Sequence, residues 1–157
     1  MTATDTAATS VSVDTMVDAP VEHAFRVFTQ DIGRWWNPEH HLLDSAIESM
    51  TFEPRVGGRI VGRHVDGREN AWARVLAYEP PTRVVFSWDI SVDWKPSTDF
   101  DRSSEIEVTF SPVGADRTHV VLTHRNLDRH GEGWQTMRDG VAQGWSLARY
   151  AEVASVR

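Results

Sequence analysis

A chain of 157 residues with 23 acidic against 16 basic side chains, net charge -7, fits a single domain of the usual size of roughly 100 to 150 residues. That balance leaves no excess positive field to attract phosphate backbones or anionic lipid heads, which sets nucleic acid and membrane surfaces aside as partners. At 40% hydrophobic and 25% charged residues the body is composed to fold unaided, and the absence of cysteine excludes disulfides, thiolate metal sites and a cysteine nucleophile.

Residues 1–10, rich in Thr, Ala and Ser with no basic or apolar block, read as a disordered tail rather than a signal peptide. No run approaches the ~20 apolar residues of a membrane span, so no membrane insertion is expected and a cytoplasmic location follows by default. Residues 11–157 read as one domain. Val11 to Val17 alternates with period two, the pattern of a half-buried strand. Asp18-Ala19-Pro20 then supplies a cap and a first-turn proline, and Val21, Ala24, Phe25 and Phe28 recur at helical spacing. The helix is expected to end at Gly33, followed by an aromatic corner at Arg34-Trp35-Trp36-Asn37-Pro38 and a second short helix around Glu39 to Leu43.

Six short strands follow, at 47–52, 59–65, 71–78, 83–90, 105–111 and 119–123, separated by turn signals such as Gly57-Gly58, Asp66-Gly67 and Pro80-Pro81. Such tight connections make an antiparallel meander. The polar stretch 91–103 reads as one long loop and a candidate pocket rim. From Gly131 onward Trp134, Met137, Val141, Trp145 and Ala148 share one face of a long C-terminal helix. The fold class is α+β, with a curved sheet burying its apolar face against that helix.

The order β-α-α-β6-α, together with Val17-Asp18-Ala19-Pro20-Val21-Glu22, Trp35-Trp36, Val56-Gly57-Gly58-Arg59, the run from Ala77 to Trp88 and Gly144-Trp145, resembles the START-like (SRPBCC) superfamily. Within it the chain is similar to the C-terminal domain of the activator of Hsp90 ATPase. The resemblance implies a helix-grip fold with a cavity between sheet and C-terminal helix. It leaves function open among carriers, receptors, cyclases and co-chaperone domains. The Hsp90 activator carries a further N-terminal domain that this sequence does not show, so an Hsp90-type chaperone is not expected as a partner.

Strand alternation puts Val84, Phe86 and Trp88 on one side, as it does Ile106, Val108 and Phe110, and Val120, Leu122 and His124. The expected ligand-binding residues are Trp36, Trp72, Phe86, Trp88, Val108, Leu122, His124, Met137, Val141 and Trp145, an apolar wall with one placed polar group. Most of the seven tryptophans are expected to be core. For proton transfer the candidates are His124, Asp89, Glu105 and His64, none with a partner visible in the sequence, so no catalytic residue is assigned. Arg74 is either a satisfied strand residue or the partner of an anionic ligand head.

Adjacent His40 and His41 diverge by about 100° on a helix, so at most one could join Asp44 on a face and no metal site is expected there, and Gly57-Gly58 lacks the context of a phosphate loop. No metal and no cofactor are called for. The expected function is a small-molecule binding protein holding an apolar or amphipathic ligand between sheet and helix. The alternatives are a cyclase- or hydratase-like enzyme using the same pocket, or a chaperone-linked interaction module. The ligand and the oligomeric state, a homodimer included, stay open.

Overall fold

The computed structural model describes residues 8–36, 47–145 and 147–155. The elements run β1 (Val11–Val17), α1 (Val21–Thr29), α2 (Ile32–Trp35), β2 (Ile47–Phe52), β3 (Arg59–His64), β4 (Glu69–Glu79), β5 (Arg83–Trp88), β6 (Ser104–Pro112), β7 (Thr118–Arg125), α3 (Trp134–Gly144) and α4 (Ala148–Ala154). The seven strands form one antiparallel sheet in the order β1-β7-β6-β5-β4-β3-β2. The meander from β2 to β7 follows from its tight turns, except that residues 89–103 make a long connection from β5 to β6, and β1 closes the far edge by pairing with β7 from Val11↔His124 to Val17↔Thr118. Register shifts at Ile47/Ser49, Ile60/Val61 and Val75/Ala77 fall in the half formed by β2, β3, β4 and β5. Such bulges bend and twist a sheet, and here they turn it around the helices.

The concave face and the helices share one apolar core. Phe25 and Phe28 of α1 pack on Phe110, and Phe28 also meets Trp35 and Tyr150, with ring centroids 4.9 to 5.8 Å apart. Two polar tips among these packed rings are satisfied: Trp35 Nε1 donates to Val27 O at 3.0 Å and Tyr150 Oη to Ala24 O at 2.6 Å. The fully buried Tyr150 hydroxyl, its pKa raised by desolvation, stays protonated and ties α4 to α1.

The outer face carries a ladder of cross-strand ion pairs instead: Arg83 with Glu79 and Glu107, and Arg125 with Glu105 and Glu107. β-strand alternation thus sorts apolar residues inward and charges outward.

Two helical details differ from the sequence expectation. The first helical stretch is divided into α1 and α2, the latter reaching Trp35, two residues beyond Gly33. The short helix expected at Glu39 to Leu43 lies outside the described residues. The C-terminal helix is divided as well: Trp145 has φ -76° and ψ 83°, outside the helical region, between α3 and α4. This break shifts the register of the buried face, so Leu147 and Tyr150 take the place expected for Ala148, which is exposed. At the other end, Ala8 and Thr9 are held by hydrogen bonds, their carbonyls accepting from Arg138 Nη1 and Leu127 N at 3.0 Å each.

Candidate functional site

Four aromatic side chains converge from four separate stretches of the chain, two on strands and two just beyond the ends of helices. Trp72 comes from β4, Trp88 from the end of β5, Trp145 from the break after α3, and Trp36 from the residue following α2. Trp36 lies 5.0 Å from Trp72 and 6.1 Å from Trp145, ring centroid to ring centroid. Trp72 lies 5.6 Å from Trp88 in a T-shaped arrangement, and Trp88 lies 5.8 Å from Trp145. His124, at the end of β7, completes the cell at 5.1 Å from Trp88. These separations are those of favourable tilted and edge-to-face pairs.

The polar side of the cell is a hydrogen-bonded chain. Trp145 Nε1 donates to His124 Nδ1 at 3.1 Å, His124 Nε2 meets Ser104 Oγ at 2.7 Å, and Ser104 Oγ meets His130 Nε2 at 2.7 Å. An indole N–H only donates, so His124 Nδ1 must accept and the neutral ring carries its proton on Nε2. The Ser104 backbone N–H, also donor only, reaches His130 Nε2 at 3.3 Å, which makes that nitrogen an acceptor too. The chain therefore has one direction: Trp145 donates to His124, His124 to Ser104, and Ser104 to His130.

Both imidazoles are held neutral at physiological pH. Burial lowers the pKa of His124 to about 3, and the neighbouring His130 adds to the effect. His130 is lowered by burial as well, with nearby Asp89 pulling the other way. Neither ring needs a charge to satisfy the hydrogen bonds it makes.

Asp89, buried just beyond β5, is fully engaged. Arg74 grips it in a fork at 3.0 Å through Nε and 3.0 Å through Nη2, and Ser103 Oγ donates to it at 2.6 Å. Arg74 also stacks over Phe100 at 3.8 Å. Arg74, Phe100 and Ser103, with Ser104, Glu105 and Arg129, line an open groove of about 140 Å³. Of the two readings of Arg74, the structure supports the satisfied strand residue.

The sequence brought Trp36, Trp72, Trp88, His124 and Trp145 to the candidate site, and the structure places them in ring contact. Phe86 reaches the cell through Trp72 at 6.1 Å but is equally a neighbour of Phe28 and Phe52 in the core. Val108, Leu122, Met137 and Val141 are buried in the same apolar cluster without joining the polar chain. Of the proton-transfer candidates, Glu105 pairs with Arg125 and Arg129 at the outer ladder, and His64 is buried on β3. His40, His41 and Asp44 lie outside the described residues. Among the described residues no cluster of three metal-ligating side chains forms.

Sequence reasoning missed Ser104 and His130. The period-two row of Ile106, Val108 and Phe110 extends back to Ser104, so starting β6 one residue earlier would have turned Ser104 inward. His130 sits in the 3₁₀ turn after β7, where no periodicity applies.

A sheet curled against C-terminal helices with an aromatic cell between them is the helix-grip architecture of START-like proteins. The chain belongs to the family described as Activator of Hsp90 ATPase homolog 1-like protein, which matches residues 18–150. Among solved structures it is similar to an anthrahydroquino-γ-pyrone synthase, Txn09, complexed with SUM: 40% identity, 92% of this chain and 96% of that one covered, TM-score 0.68. It is also similar to protein NE0264 from Nitrosomonas europaea (13% identity, 98% and 97% covered, TM-score 0.67) and to MLL2253 from Mesorhizobium loti (22%, 92% and 93%, 0.62). The latter two, at such identities, speak for the fold alone. No curated protein matches the chain.

Proposed function

We propose that the chain binds a polycyclic aromatic compound of the anthrahydroquino-γ-pyrone class in the aromatic cell and promotes closure of its pyrone ring. The observation that carries this reading is the 40% identity to a synthase of that product across nearly the whole of both chains. The geometry agrees with it. Trp36, Trp72, Trp88 and Trp145, which pack on one another at 5.0 to 6.1 Å, offer a flat ring indole faces to stack on once they part.

Forming a γ-pyrone without an oxidant adds a ring hydroxyl across the triple bond of an alkynyl ketone on the neighbouring carbon: the oxygen bonds to the far alkyne carbon, the hydroxyl proton ends on the carbon next to the ketone, and nothing leaves. The protein's task is therefore orientation of the two ends and donation toward the ketone oxygen as charge gathers there. Nothing in that task requires a charged acid or base in the cell, which suits imidazoles held neutral by burial.

The test is incubation of purified protein with a 1-hydroxyanthraquinone bearing an alkynyl ketone on the neighbouring carbon. Ring closure faster than the uncatalysed reaction is the expected result. Saturable binding with closure at the background rate reduces the protein to a carrier of such compounds. Neither binding nor acceleration sinks the reading.

The carrier reading has its own support, since His124 is committed at both nitrogens, to Trp145 and to Ser104.

A further inference from the structure

A buried indole N–H ordinarily finds an acceptor, because leaving a donor unpaired away from water forfeits its hydration without return. Trp35 and Trp145 obey, bonding to Val27 O and His124 Nδ1. Trp72 and Trp88 do not. Both side chains are more than nine-tenths buried, at 3% and 6% exposure, and neither Nε1 has a hydrogen-bond partner among the described residues. The two rings are direct neighbours 5.6 Å apart at 71°. Two unpaired donors thus occur side by side, in the same cell that gathers Trp36 and Trp145.

We infer that Trp72 and Trp88 form a donor pair for oxygen acceptors on the bound aromatic ligand, so that the site selects quinones and hydroxyaryl ketones over hydrocarbons of the same shape. This rests on the proposal that the cell takes a polycyclic aromatic. A neutral N–H suits a carbonyl or phenolic oxygen. No cationic side chain makes a ring contact with the cell among the described residues, and Arg74, the nearby arginine of β4, is spent on Asp89. A carboxylate or phosphate would therefore be buried here without a counter-charge, whereas a ketone oxygen needs only donors.

The division of labour among the indoles also becomes clear. His124 takes up the Trp145 N–H, so Trp145 offers its face and not its donor. In a pyrone-forming reaction Trp72 and Trp88 would meet the ketone oxygen on which charge develops, as donors positioned before the ligand arrives.

The indole N–H resonances of the ¹⁵N-labelled protein test this directly, with 1,8-dihydroxyanthraquinone and anthracene as probes. On adding the quinone, the Trp72 and Trp88 signals, assigned through Trp72→Phe and Trp88→Phe, are expected to move downfield, with that of Trp35, bonded to Val27 O, unmoved. The quinone is expected to bind about tenfold or more tighter than anthracene, as a hydrogen-bonded oxygen allows, and the double variant to bind the two alike.

Saturable binding of both probes with equal affinity, or with both indole signals unmoved, overturns the donor pair and leaves the aromatic-binding proposal standing. Absence of saturable binding by either probe overturns both. If the double variant does not fold, the comparison of the two probes on the unmodified protein decides the same question.

Discussion

At the residue scale the informative group is His124, fully buried between an indole donor and a serine hydroxyl. Its pKa falls from 6.5 to about 3 on folding, so below pH 6.5 the unfolded chain takes up a proton that the folded chain refuses. Stability present at neutral pH is thus lost progressively as pH falls from 6.5 toward 3, by up to about 1.4 kcal/mol per pH unit from this one group. His130, lowered by burial as well, acts in the same direction. Denaturant melts between pH 7.5 and 4.5 are expected to show this slope, and His124→Asn, which keeps an acceptor and a donor, to reduce it. An unchanged slope would remove His124 as its source.

Ser104→Ala acts on the same chain without altering charge. It leaves the fully buried His124 Nε2–H without its acceptor, and an unpaired buried donor costs about 1 to 3 kcal/mol. Urea unfolding checks this, and a loss below about 0.5 kcal/mol would mean the chain contributes nothing net. The sequence disclosed His124 because it ends a period-two row. It hid His130, whose position depends on a turn with Asn126 at φ 60° and Gly131 at φ 83°. Alternation reports which face a residue takes; the reach of a turn back toward the sheet is a tertiary matter.

At the element scale, the strands, their order and the inward rows were legible because tight turns and period-two alternation are local properties. The division of the C-terminal helix was not, since Trp134, Met137, Val141, Trp145 and Ala148 keep helical spacing straight through it. What the break accomplishes is tertiary: it turns the Trp145 donor to His124 at 3.1 Å.

The loop after β5 also closes on this helix. Trp94, at φ 60°, lies so close to α3 that a Cβ on Gly140 would stand 2.9 Å from its Cζ2 and 3.2 Å from its Cη2. Gly140→Ala therefore evicts the Trp94 ring, while the helix gains up to about 1 kcal/mol of intrinsic propensity. The two effects are expected to leave global stability changed by less than about 1 kcal/mol, with a red-shifted emission component and faster proteolysis within 91–97. Unaltered protease resistance would show that this contact does not hold the loop. The indole is 41% exposed, which makes it the yielding partner.

At the scale of the whole molecule, the grip and its cell make one continuous core. Val84, Phe86, Ile106, Val108, Val120, Leu122 and His124 are all fully buried beneath the helices, and the Trp72, Trp88 and Trp145 rings pack on one another at 3%, 6% and 8% exposure. The outer ladder of Arg83, Arg125 and their glutamates adds little, since partly exposed ion pairs contribute about 0 to 1 kcal/mol. An aromatic ligand entering between the indoles must first part them, so the binding-competent arrangement is a minor state of the free protein.

Two consequences follow for kinetics. Association is expected to fall below the ~10⁵ M⁻¹s⁻¹ lower end of ordinary docking, and the observed rate to level off at high ligand concentration, where opening becomes limiting. Stopped-flow tryptophan fluorescence with 1,8-dihydroxyanthraquinone measures both. A rate rising linearly with concentration at 10⁶ M⁻¹s⁻¹ or above would mean that the cell stands open in solution. Once seated, the ligand binds only the folded chain, so at about 100 times its dissociation constant it adds about 2.7 kcal/mol to apparent stability. Slow entry combined with that stabilisation separates a ligand lodged among the indoles from one resting in the open groove beside Arg74 and Phe100, which would enter without delay.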